Sequence, residues 1–142
     1  MNHSKAAFRV LRETIGYCQA DLASIFSVSV DEVRQWESPE SSKMPPEDAW
    51  KRLEEDRSRQ SDTVELRVDM IKISGVDCVV LPYFLSQEHY EKENGAGGFY
   101  GYENSIVRQI AAALGDSAEV MINYPGYDDA EDDASEGDAS AN

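Results

Sequence analysis

Few side chains in this sequence have the type and spacing to do covalent or metal chemistry. His3 and His89 stand far apart, and neither has a Cys or a second His at metal-ligand spacing. Cys18 and Cys78 belong to no CxxC pair and read as buried or partly buried reduced thiols. The run Gly95-Ala96-Gly97-Gly98 lacks the Lys-Ser/Thr of a phosphate-binding loop, so it reads as a flexible connection. His3 reads as a frayed terminal residue and His89 as a surface helix residue. No enzyme activity, cofactor or metal is expected. What remains is recognition chemistry, concentrated in the donors and acceptors of residues 29–35.

Those residues need elements to hold them. Phe8, Leu11 and Ile15 recur at helical spacing, with Ser4 to cap the start and Gly16 to stop the end, which predicts a helix over 4–15. A second helix is expected over 18–26 and a third over 30–37. Ser29 and Glu32 form an S-x-x-E capping box for the third. Pro46 suits the first position of a fourth helix, with Glu47 and Asp48 near its positive end. That helix is expected from 46 to at least 57, extending to about 73 if a weak middle holds. Leu22, Ala23, Val28, Val33 and Trp36 point into one small core. Trp36 and Trp50 lie on apolar helix faces and read as core residues. The outer face of the third helix, Val30, Asp31, Arg34 and Gln35, is left free to enter a groove.

The stretch from Gly16 to Glu37 reads G-x-x-Q-x-x-L-A-x-x-F-x-V-S-x-x-x-V-x-x-W-E. It resembles the lambda-repressor-like, Cro-type helix-turn-helix family of transcriptional regulators. The resemblance covers these twenty-two positions directly and about sixty with the flanking helices. It implies that Gln19 holds a phosphate or a base edge, and that Ser29, Val30, Asp31, Arg34 and Gln35 occupy recognition positions. Arg34 then suits a guanine edge or a phosphate, Gln35 an adenine, and Val30 a thymine methyl. Asp31 has two readings, an acceptor for a cytosine amino group or a stabiliser of the helix dipole. Glu32 reads as a cap. The turn position often held by Gly is here Ser27. Lys43, Lys51, Arg52, Arg57 and Arg59 are candidates for phosphate contact, with Lys51 and Arg52 favoured.

Charge limits how such a domain could work. The net charge is −15, which argues against indiscriminate nucleic-acid binding. Residues 1–60 hold nine bases and eleven acids, residues 61–127 four and ten, and residues 128–142 none and seven. Most of the negative charge therefore lies outside the first sixty residues. The last segment lacks large apolar residues and is expected to be a disordered acidic tail.

The expected organisation is mainly α, α+β overall. A four- to five-helix lambda-repressor-like domain occupies 1–60, a small α/β dimerisation or partner-binding piece 61–127, and the tail 128–142. In the second piece, 79–84 and 120–124 are strand-like and expected to pair, covered by a helix over 103–114. Another short helix is expected over 86–92. This order is similar to YdiL-like bacterial regulators, which implies a homodimer. Val64, Val68 and Ile71 would be buried in it. The six tyrosines of this half suit an interface or a ligand pocket. The start carries no apolar stretch like that of a secretory peptide, so a cytoplasmic protein without a membrane span is expected. The expected partners are a double-stranded DNA operator, a second copy and a protein such as a toxin or another regulator. The competing expectation is a module that keeps this fold but binds only a protein.

Overall fold

The computed structural model describes residues 2–127; the expectation of disorder for 128–142 falls outside them. Among the described residues the chain forms six helices and two strands. The helices are α1 (Lys5–Ile15), α2 (Gln19–Phe26), α3 (Val30–Glu37), α4 (Glu47–Ser74), α5 (Gln87–Asn94) and α6 (Tyr100–Leu114). The strands are β1 (Cys78–Pro82) and β2 (Glu119–Asn123). The protein is mainly helical with one small sheet, α+β overall.

The first four helices share one apolar cluster. Phe8, Ile15, Leu22, Val33 and Leu53 are fully buried in it, and each contributes about 1.5–3 kcal/mol by leaving water. Phe8 meets Trp36 and Trp50 edge-on, at 6.0 and 5.2 Å between ring centroids. Local chemistry sets the ends. Ser4 Oγ accepts from Ala7 N–H and starts α1. Asp21 accepts from Cys18 N–H at the start of α2. Pro46 precedes α4 as its extended cap rather than forming its first helical residue. His3 is not frayed: its ring stacks on Trp50 at 4.1 Å and bonds Glu54.

Ser27 ends α2 in the left-handed region, at φ 54° and ψ 45°. Val28 N–H closes the turn on Ala23 C=O at 3.0 Å. An L-residue pays on the order of 1 kcal/mol for that conformation, and glycine pays little. Ser27→Gly is therefore expected to raise the melting temperature by a few degrees, about 0.5–1 kcal/mol, in a thermal melt. A lower melting temperature would show that the serine is not strained.

Helix α4 runs straight through position 60, the boundary expected between the two pieces, and belongs to both. Its second half joins a second cluster with β1 and α6, made of Val64, Val68, Leu81, Ile106, Val107, Ile110 and Leu114. Val64 and Val68 are therefore consumed within the chain, contrary to the expectation that a second copy buries them. Ile71 packs against the same cluster. Strands β1 and β2 pair in parallel, Cys78 opposite Glu119 through Pro82 opposite Asn123. Parallel strands need a long crossover, and α5 and α6 provide it.

A polar seam joins the two clusters. Gln60, fully buried, donates to Ile15 C=O at 2.8 Å and to Tyr102 C=O at 3.3 Å, and accepts from Gln109. Ser105 Oγ donates to Thr14 C=O. Tyr17 donates its hydroxyl to the buried Asp56 at 2.8 Å. Burial first, then that bond, pushes the Tyr17 phenol far above its ordinary pKa. His89 corrects the expectation of a surface residue. It is buried, accepts from Leu85 N–H at Nδ1, and lies 2.7 Å from Pro125 C=O at Nε2. Both cysteines are free and exposed rather than buried.

Candidate nucleic-acid interface

Helices α2 and α3 are joined by only three residues, Ser27 to Ser29. Ser29 Oγ accepts from Glu32 N–H at 3.0 Å and fixes where α3 begins. Val33 and Trp36, one helical turn apart, anchor the inner face in the core. That anchoring turns the opposite face outward. Val30 is 38 % exposed, and Asp31 and Arg34 are exposed beside it. Gln35 lies at the edge of the same face, half-buried.

The polar groups on this face hold one another. Asp31 accepts from Arg34 Nη1 at 3.2 Å and from Gln35 Nε2 at 2.6 Å. One carboxylate thus positions both donors. Lys43 Nζ donates to Glu32 at 2.7 Å, which holds the Glu32 carboxyl below its ordinary pKa. Glu32 therefore anchors the following loop, while the reciprocal half of its expected capping box is replaced by this ion pair. Lys5 Nζ donates to Gln35 C=O at 2.7 Å and to Lys43 C=O. This cation at the end of α3 escaped the sequence reading, because its partners lie 30 and 38 positions away.

The remaining candidates divide. Gln19, half-buried, donates to Glu37 Oε1 at 3.3 Å. Glu37 is itself held by Arg12, with Nε to Oε2 at 2.7 Å and Nη2 to Oε1 at 2.8 Å. Arg12 Nη1 also donates to Tyr17 C=O at 3.0 Å. This buried fork ties α1 and α3 to the start of α2, and nothing in the residue pattern pointed to it. Lys51 is exposed and makes no side-chain bond among the described residues. Arg52, favoured for phosphate contact, instead engages Asp56 at 3.1 Å. Arg59 joins the same carboxylate, and Arg57 bonds Gln109 on α6. The structure thus gathers Ser29, Val30, Asp31, Arg34, Gln35 and Lys43 around α3, and assigns Arg52, Arg57 and Arg59 to the seam.

No family model matches the chain, and no curated protein is significantly similar to it. Among the described residues no helix is long and apolar enough to cross a membrane. No group of three or more His, Cys, Asp or Glu among them could hold a metal ion.

Proposed function

We propose that this protein is a sequence-specific DNA-binding regulator that inserts α3 into the major groove. One observation carries the reading. The α2–α3 pair packs Val33 and Trp36 inward and leaves Val30, Asp31, Arg34 and Gln35 together on an open helical face. An eight-residue helix fits the groove, and guanidinium and amide forks suit guanine and adenine edges. The Asp31 bonds hold both forks on one side before any partner arrives. Lys5 supplies a cation beside the helix, and Lys43 offsets the charge of Glu32. Replacing Arg34 and Gln35 together by alanine removes two base contacts of about 1–3 kcal/mol each. About a hundredfold weaker binding to an enriched sequence is expected by fluorescence anisotropy at low salt. Unchanged affinity would sink the reading.

A protein-only partner is the second reading. Residues 18–37 carry four acids and one base, and Asp31 already engages one nitrogen each of Arg34 and Gln35. Arg12 neutralises one of those acids and Lys43 faces another, which leaves the DNA reading in front.

The regulator acts as a homodimer in this proposal. Leu66, Met70 and Ile73 repeat along one face of α4 and are 61 %, 61 % and 85 % exposed. Such a stripe is suited to a copy of itself, and two recognition helices read more bases than one. Met70→Glu is expected to halve the mass seen by light scattering and to leave the fold intact. A wild-type monomer at tens of micromolar would refute the dimer.

A further inference from the structure

Where the two apolar clusters meet, the surface opens into a cavity of about 320 Å³, at the small end of ligand pockets, roughly 300–1,000 Å³. Three rings wall it: Tyr17, Phe99 and Tyr102. Tyr17 and Tyr102 lie nearly parallel at 5.8 Å, and Phe99 meets Tyr17 edge-on at 5.5 Å. The same cavity is lined by Arg52, Asp56, Arg59 and Glu103.

Its two cations and two carboxylates are unevenly paired. Asp56, 2 % exposed, takes the Tyr17 hydroxyl, Arg52 Nε and Arg59 Nη1. One buried carboxylate therefore holds two guanidinium groups. Both arginines reach solvent, and among the described residues neither makes a hydrogen bond to any other group. The two Nη atoms of Arg52, and Nε and Nη2 of Arg59, remain open. Paired guanidinium edges of this kind bind phosphate or carboxylate in a forked geometry. Glu103 makes no side-chain hydrogen bond among the described residues and adds an acceptor to the cavity. It disfavours a bare anion and favours one that also carries a donor. Ring walls, free guanidinium edges and one free carboxylate are complementary to an aromatic amine bearing an anionic group.

We propose that this cavity binds a small anionic ligand with an amino-bearing aromatic ring, the chemistry of a purine nucleoside monophosphate. The proposal stands apart from DNA binding and needs no DNA to test. Calorimetric titrations of the full chain with AMP, adenosine and inorganic phosphate separate ring from anion. AMP is expected to bind at least about tenfold more tightly than either fragment. Arg52→Met and Arg59→Met are each expected to weaken AMP about tenfold. Both side chains are about half exposed or more, and a thermal melt checks that each variant folds. Arg9→Met, on the exposed face of α1 and paired with Glu13, is expected to leave AMP binding unchanged. AMP binding no tighter than phosphate, or AMP binding indifferent to both arginine substitutions, overturns the proposal.

Discussion

Arg12→Met is expected to destabilise the protein by about 3–5 kcal/mol, because it leaves the Glu37 carboxylate buried without its partner. The Glu37 side chain is 4 % exposed and that of Arg12 10 %, so water cannot easily replace the lost bonds. The two forked contacts also hold α1 to α3, and the third guanidinium nitrogen satisfies Tyr17 C=O. The cost is therefore the stranding of a charge rather than the loss of a bond. That distinction is testable. The double variant Arg12→Met/Glu37→Leu removes the stranded carboxylate together with its partner, and is expected to recover more than half of the loss. Urea denaturation of both variants measures the difference. A single variant that costs less than about 1 kcal/mol would mean that Glu37 escapes to solvent, and the fork would not then position α3.

Gly101→Ala is expected to be comparably damaging, for a steric reason. A Cβ at Gly101 would stand 2.0 Å from Gly16 C=O, and a Cβ at Gly16 would stand 2.0 Å from Gly101 C=O. The backbones of the α1 terminus and the first turn of α6 touch there, with no side chain to give way. Gly101 lies inside a helix, where alanine would ordinarily add about 0.5–1 kcal/mol of stability. The sign of the effect therefore decides between steric contact and local propensity. A loss of about 3 kcal/mol or more in urea denaturation, with separation of the two clusters, is expected. A gain in stability would show that α6 does not seat against α1 as described.

These two sites also show what the residue pattern could and could not reveal. Helices α1 and α3 were legible because their signals are local: Ser4 and Ser29 cap them, and Phe8, Leu11 and Ile15, or Val33 and Trp36, mark the inner face. The strand pair and the helix covering it were legible from β-branched runs and from the stripe Ile106, Val107, Ile110 and Leu114. The full length of α4 was legible only as an open extension to about 73, because its middle turns Asp56 and Gln60 inward. Helical periodicity counts apolar residues, and a face that buries polar groups against Tyr17, Ile15 and Tyr102 looks like a gap. The fork of Arg12 on Glu37 spans 25 positions, and the contact of Gly16 with Gly101 spans more, so neither leaves a local trace. His89 was misread because an isolated histidine in a polar helix carries no sign of the carbonyl that Pro125 brings to it. Arg52 stood as a candidate for phosphate contact because its partner, Asp56, one turn further along α4, looks like an ordinary surface acid, and the Tyr17 hydroxyl that meets Asp56 comes from 39 positions away.

The open face of α3 was read from the sequence with its main residues in place. What the structure added is that Asp31 holds Arg34 and Gln35 together, so an acid at the front of the helix can order the donors instead of only repelling phosphate. In the proposed DNA complex its charge would weaken attraction to the backbone, so that binding would depend more on base contacts than on salt.

Selection of bound DNA from a random duplex pool at low salt tests this most directly. The expected result is an enriched, two-fold symmetric site whose half-sites lie about one helical turn apart, and which the variant with Arg34→Ala and Gln35→Ala no longer enriches. A pool that stays random for the wild-type protein would contradict the account and leave α3 as a surface for a protein partner.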